Sequence, residues 1–441
     1  MVAASTYRMP LTNAQTPDAN VDRKVPGEII SSLNRLDAWI EAEGFRGWDP
    51  HDALNSPLLR RLTFGSRLLG IAWLQLLRRS PLNLRPMLAI SKDYNPKGMG
   101  LFLASYARKY AFSRTPQHQQ HVLCLTRWLQ DNAARGYSGM CWGYNFDWPN
   151  RASFAPAGTP TIVNTAFIAL AFLDLHLICC NSFQPGTPRN AAEVADDKRA
   201  VEWSAAQSSA LNVARSACDF ILQDLNTLDR TTDELCFSYT PLDGRRIHNA
   251  NMMGACLLAS VFRRTGETHL ATAALAAARY TTRRQMPNGA WPYGEAAREN
   301  WIDNFHTGFV LVALKRIRDS LRTNEFDQCL LHGYRYWKQH MFLSDGTPKY
   351  YSDKLHPIDV HSVAQAILTF LEFEQEDPEA FALAIRMARW GIENLQDPDG
   401  YFYYWICRAY KVRIPYIRWS QAWMQIALTE LVCSHGHETL P

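Results

Sequence analysis

Apolar positions along the C-terminal half of the chain fall into two alternating patterns. Phe326, Leu330, Tyr334, Trp337 and Met341 recur at helical spacing with charged residues between them, a single stripe that predicts a helix packed on one side only. The stretch 302–317, IDNFHTGFVLVALKRI, is apolar nearly all round its middle, as in a helix surrounded by others. Read through the whole chain, such outer and inner candidates pair as 28–45 with 57–79, 116–136 with 161–180, 200–225 with 247–265, 267–285 with 302–320, 323–341 with 357–374, and 378–396 with 415–433. A further segment at about 95–113 has no place in this scheme. The greasiest run, Thr165 to Cys180, is shorter than a membrane span and contains Asp174 and His176, so it predicts a buried helix and no membrane partner.

Between outer and inner members a turn motif returns. A helix ends in Gln, a turn with Gly or Asp follows, and an aromatic cluster precedes the next helix: LQDNAARGYSGMCWGYNFDW, LQDLNTLDRTTDELCFSY, RQMPNGAWPYGE, KQHMFLSDGTPKYY and LQDPDGYFYYW. The Gln residues at 130, 223, 285, 339 and 396 lie 93, 62, 54 and 57 apart, the length of a helical hairpin. An insertion around Asn181 to Arg199 stretches the first interval. The repeats predict one domain over 26–434, after a leader of residues 1–25 without periodicity and before a short tail, 435–441.

Six hairpins can stack as an open solenoid or close into a ring. In its hairpin number and aromatic-glycine turns the chain resembles the six-hairpin, glycosidase-like α/α toroids of carbohydrate-active enzymes, which include glycoside hydrolases, polysaccharide lyases and sugar epimerases. That resemblance implies an all-α (α/α)6 toroid with a carbohydrate in its central cleft. The Gln-to-aromatic turns also look like the repeats of terpene-cyclase toroids, but the DxDD protonation motif and the prenyltransferase zinc set are missing from the sequence.

Composition narrows the picture further. With 47% apolar and 20% charged residues and a formal charge of +4, the chain is an ordinary globular one with material for a large core. Its ten cysteines include no CxxC pair, which excludes a zinc ribbon or redox motif and predicts reduced thiols. No phosphate loop, dinucleotide fingerprint, nucleophile elbow or basic nucleic-acid module occurs, so neither cofactor, metal nor nucleic-acid partner is expected. The first residues have no signal-type apolar core, which points to the cytoplasm.

In a toroid, the aromatic loops and the first turns of the inner helices line one mouth of the cleft. Sugars present flat C–H faces edged with hydroxyls, so a glycan site needs aromatic platforms beside bidentate polar groups. Trp142, Tyr144, Trp291, Tyr293, Tyr351 and Tyr403 are the candidate platforms, and Asp147, Asn249, Arg418 and Gln421 the polar contacts. The same aromatics could instead wedge hairpins together. Hydrolysis of a glycosidic bond takes two carboxylates, and Asp303 and Asp359, heading successive inner helices, are the first choice, with Glu295 in a loop. An Asp in that position is also the ordinary helix cap. His306 and His361 supply the alternative, proton abstraction beside a uronate carboxylate with Tyr or His as acid, as in a lyase or epimerase. Arg418 and its basic neighbours would suit an acidic glycan. The leading expectation is therefore glycoside hydrolysis of an oligo- or polysaccharide, with elimination, epimerisation and non-catalytic glycan binding as the alternatives.

Overall fold

The computed structural model describes residues 24–149, 154–180 and 194–435. The leader before Lys24, most of the insertion after Cys180 and the tail beyond His435 lie outside the described residues; Val25 is already buried in the core. Fourteen α-helices carry the described fold: α1 Gly27–Ala42, α2 Pro57–Arg61, α3 Arg67–Arg79, α4 Pro96–Ser113, α5 Pro116–Asp131, α6 Ile162–Cys180, α7 Val194–Gln223, α8 His248–Thr265, α9 Thr268–Thr282, α10 Asn304–Leu321, α11 Asp327–His340, α12 Val360–Glu372, α13 Ala380–Leu395 and α14 Trp423–His435.

Six of them form a closed inner ring. α4 packs on α6, α6 on α8, α8 on α10, α10 on α12, α12 on α14, and α14 returns to α4. Each inner helix also packs on the outer helix that follows it, α4 on α5 through α12 on α13, and α14 finds its outer partner in α1 at the other end of the chain. The fold is an all-α (α/α)6 toroid in which one hairpin is assembled from the two ends of the sequence.

Each inner helix from α6 to α12 packs more on the outer helix that follows it than on the one the sequence scheme placed before it. The assignment of outer and inner helices holds for five of the six units and fails for the first. The inner helix there is α4, the segment without a place in the sequence scheme, and not 57–79. From Lys97 to Ala107 α4 is buried almost continuously, Ala104 excepted, whereas Leu58, Phe64, Leu68 and Leu76 of the 57–79 segment are exposed. A break between Arg61 and Arg67, where Phe64 and Gly65 hold positive φ, splits that segment into α2 and α3. It forms an excursion beside the mouth, pinned by the buried Arg85–Asp52 pair (2.7 Å) and by Arg85 Nη2 donating to the Asp49 carbonyl (3.0 Å).

Two of the recurring turns staple neighbouring outer helices through their Gln. Gln285 donates to the Gly289 carbonyl of its own turn and to Cys329 of α11; Gln396 donates to Gly400 and to Ser32 of α1. Gly289 and Gly400 hold φ near +94° and +104°, a region that favours glycine. A Cβ there would meet the His332 and Arg35 carbonyl oxygens at 2.7 and 2.4 Å. The same staple therefore joins α9 to α11 and closes α13 onto α1.

Inner helices begin with caps and approach each other through glycines. Asn95, Thr161, Asp303 and Asp359 accept first-turn amide N–H groups at the starts of α4, α6, α10 and α12. Gly100 faces Ile168, Gly254 faces Ile162 and Gly308 faces Gln365, with room for no Cβ in any of the three. The strands are two-residue pieces around the loops. One three-stranded set pairs Ile358–Asp359 with Trp405–Ile406 and the latter with Lys411–Val412, placing Asp359 opposite Trp405.

Candidate functional site

The floor of the cleft is where the inner helices converge. Lys97 of α4, 4% exposed, sits with its ammonium 4.3, 5.7 and 5.2 Å from the ring centres of Phe167 (α6), Phe309 (α10) and Trp423 (α14). Burial, reinforced by the Arg418 charge, pushes its pKa well below the usual lysine value. His361 of α12 closes the floor, 4.5 Å from Trp423 and stacked on Phe305 at 4.5 Å. Both of its ring nitrogens are buried without a partner, and burial drives its pKa well down, so the imidazole is neutral at pH 7.

Above the floor, side chains touch one another in a continuous belt around the mouth. His361 meets Trp419 at 4.9 Å, Trp419 meets His51 at 5.6 Å, and His51 lies 3.4 Å from an Arg418 nitrogen. The Arg418 guanidinium stacks over Tyr144 at 5.0 Å, Tyr144 meets Trp148 at 5.9 Å, and Trp148 meets Tyr239 at 5.2 Å. Arg245 lies over Tyr239 at 5.4 Å, pairs with Glu299 at 2.6 Å and places its charge beside the Tyr293 hydroxyl. Tyr293 meets His306 at 4.5 Å, and His306 and His361 flank the Phe305 ring, completing the circuit. A single π-helical turn, Ile417–Ala422, delivers both Arg418 and Trp419 to this belt.

Two acid-backed groups stand out. Asp303 accepts the His306 amide N–H at 2.9 Å through Oδ1, while Oδ2 takes the His306 Nδ1 at 2.7 Å and the Trp301 indole N–H at 2.8 Å. That acceptor places the proton on Nδ1 and leaves the Nε2 lone pair on a half-buried imidazole, the arrangement of an oriented base. Asp49 grips Arg418 bidentately at 2.6 and 2.8 Å and takes His51 Nδ1 at 3.3 Å. Burial would raise the Asp49 carboxyl, but the Arg418 charge outweighs it and holds the pKa well below the carboxylate range.

The expected residues divide accordingly. His306, His361, Arg418, Tyr144 and Tyr293 belong to the belt. Asp303 supports it from behind, and Tyr351 is next to it through Tyr350 (4.4 Å), which meets Phe305 at 5.6 Å. Asn249, buried in the first turn of α8, has a side-chain oxygen without a partner. Asp359 is fully buried, with both oxygens occupied by the His361 amide and the Trp405 and Trp419 indoles, and burial pushes its pKa up to about 6.

Other expected residues serve the frame. Trp142 and Trp291 are buried wedges whose indoles donate to the Leu129 and Thr281 carbonyls at the ends of α5 and α9. Gln421 bonds both backbone groups of Phe402 (2.7 and 2.8 Å), and the Tyr403 hydroxyl donates to Asp397 at 2.7 Å. Glu295 accepts from Tyr280 (2.7 Å) and pairs with Arg284, while Asp147 pairs with Arg60 at 3.0 Å. His435 pairs with Glu374 at 2.8 Å. Among the described residues, no group of three or more His, Cys, Asp and Glu side chains comes together as a metal site. No described helix is long and apolar enough to cross a membrane.

Sequence reasoning missed the first hairpin's contribution, namely Asp49, His51, Lys97 and Arg78. Arg78 of α3 donates to the Tyr404 hydroxyl (2.6 Å) and lies over Trp405 at 4.7 Å. The signal was present, since WDPHD at 48–52 is an aromatic turn after an outer helix like the others. Pairing that helix with 57–79 hid it.

No family model and no curated protein sequence matches the chain. Solved structures do. A sugar epimerase from a ruminal bacterium superposes with a TM-score of 0.56 at 12% identity, covering 79% of this chain and 91% of its own. An α-mannanase of glycoside hydrolase family 76 from Bacteroides thetaiotaomicron gives 0.53 at 10% identity over 79% and 90%, and cellobiose 2-epimerase from Bacillus thermoamylovorans gives 0.52 at 10% over 76% and 88%. These six-hairpin toroids share the fold of this chain.

Proposed function

We propose that this protein is a sugar-transforming enzyme that moves a proton at the carbon beside a carbonyl, that is, an epimerase or aldose–ketose isomerase. The observation that carries this reading is the Asp303–His306 pair at 2.7 Å, with its free nitrogen on the belt. His306 Nε2 takes the proton from that carbon, and the electron pair moves onto the carbonyl oxygen. The protonated His306 then returns the proton to the neighbouring carbon, giving the isomer, or to the other face of the same carbon once the enediolate has turned over, giving the epimer. His361, neutral and across Phe305, packs beside the site without a proton to supply. Arg418, held by Asp49, offers positive charge to the developing enediolate, and Tyr144, Tyr293 and Trp419 offer ring faces to the sugar. The sugar epimerase and cellobiose 2-epimerase among the structural relatives are consistent with it.

Hydrolysis, the leading expectation from sequence, is the second reading. It is favoured by Asp359, whose carboxyl is pushed up to about 6 by burial, in the range of a general acid. Its two oxygens are already occupied by three N–H donors, which is why proton transfer by histidine comes first.

A panel of reducing sugars, uronates and oligosaccharides in deuterated water separates the readings by NMR. Proton transfer gives deuterium beside the carbonyl without cleavage, and His306→Gln lowers that exchange by roughly 10²–10⁴-fold. New reducing ends that survive His306→Gln and vanish in Asp359→Asn would establish hydrolysis instead. An unsaturated product absorbing in the ultraviolet would mark elimination.

A further inference from the structure

The excursion between Asp52 and Asp93 has a composition unlike the rest of the molecule. It contains six arginines, one lysine and no acidic residue, so it contributes +7 to a chain whose total is only +4. The remainder is net acidic. The same stretch holds more than half of the large apolar side chains that stand exposed among the described residues, including Phe64 and Met87 (both 83% exposed), Leu68 (72%) and Leu82 (69%).

The exposed apolar residues follow from the way α3 sits. Gly70, Leu74 and Leu77 are its buried side, packed with Leu59 and Ile90, while Leu68, Ala72, Leu76 and Arg79 share the exposed side at steps of four, four and three. Not every cation is available. Arg85 is sealed on Asp52, Arg78 turns to the mouth and Lys92 pairs with Glu43, but Arg61 and Arg79 are exposed beside the apolar side chains. A helix with apolar and basic groups together on its free surface is the pattern of a peptide that lies in a lipid interface. A second copy is a poor occupant. A two-fold contact would set arginine against arginine with no carboxylate between Asp52 and Asp93 to offset them.

We propose that this excursion docks the protein on the surface of an anionic lipid bilayer. Phe64, Leu68, Leu82 and Met87 enter the headgroup boundary, and Arg61 and Arg79 meet lipid phosphates. Because Arg78 on the same helix reaches the Tyr404 hydroxyl, the bilayer then lies about one helix diameter, ~10 Å, from the mouth. The inference is independent of the chemistry proposed for the cleft.

The test is co-sedimentation of the full chain with vesicles of phosphatidylcholine mixed with phosphatidylglycerol, beside vesicles of phosphatidylcholine alone. The wild type should bind the anionic vesicles, prefer them to the neutral ones, and release as salt is raised. The triple variant Phe64→Glu, Leu68→Glu, Met87→Glu should bind roughly a hundredfold more weakly. Val201→Glu with Leu242→Glu, well-exposed apolar positions outside the excursion (66% and 62%), should bind as the wild type does. If the triple variant's circular dichroism shows misfolding, Arg61→Glu with Arg79→Glu replaces it and should lose the preference for anionic vesicles. A wild type that ignores both vesicles, or variants that bind equally well, overturns the proposal. So does a lipid-free dimer of the wild type that the triple variant abolishes, which would make the face a contact between copies.

Discussion

Asp303 and Asp359 occupy equivalent places, one residue before an inner helix, and differ in what their second oxygen meets. Asp303 holds an imidazole, so its charge is in use; Asp359 holds two indoles in a fully buried setting, where desolvation outweighs the donors and lifts its pKa from 3.8 to about 6. The native state therefore binds a proton at this site that the unfolded chain has released, over the window from about pH 4 to pH 6. Stability from this group is present at the acid end and is lost as pH rises through 6, by on the order of 3 kcal/mol. Urea unfolding across that window should show the fall in the wild type and a flatter profile in Asp359→Asn. An Asp ahead of a helix is legible as a cap in the sequence. Which of two capping aspartates also touches an imidazole is not, because that depends on the His306 rotamer and on Trp301 and Trp405 arriving from loops.

The helices owe their spacing to small residues at the points of closest approach. A Cβ on Gly308 would lie 2.7 Å from Gln365 Cγ and 2.9 Å from Thr369 Oγ1, so Gly308→Ala must push α10 off α12. A loss of about 1–3 kcal/mol in thermal or urea unfolding is expected. Because His306 and His361 sit on these same two helices, activity should fall with it. Helix periodicity made most elements legible, since outer helices show one apolar stripe and inner ones are apolar throughout. It failed for 57–79 because that segment also carries dense leucines, and a pattern of apolar positions does not say which of them face protein. α4 buries Lys97, Ser105 and Lys109 along its length, polar positions that interrupt the all-round apolar pattern of the other inner helices. Lys109 is admitted by its ion pair with Asp37 at 2.5 Å, a partner on α1 that lies 72 residues away.

The toroid as a whole depends on a seam between α13, α14 and α1. Gln396 receives Ser32 Oγ and Arg35 Nη2 at 2.8 Å each and donates to Ser32, and Gln425 of α14 donates to Asp37 of α1 at 2.7 Å. If this seam is built like the others, Gln396→Ala should cost as much as Gln285→Ala, about 1–2 kcal/mol in urea unfolding, despite joining opposite ends of the chain. An open solenoid would lose nothing measurable. The repeated Gln made the individual staple visible in the sequence, yet α1 precedes those repeats and ends in no such Gln, so closure onto it came only from the structure. That seam also has a consequence for the making of the protein. α1 leaves the ribosome ahead of the other described helices, and its partner α14 is translated after them. At the ~5–20 residues per second of synthesis, the apolar stripe of Ile29, Leu33, Leu36 and Ile40 goes without its final cover for roughly 20–80 s. In that interval the nascent chain has every reason to recruit a chaperone.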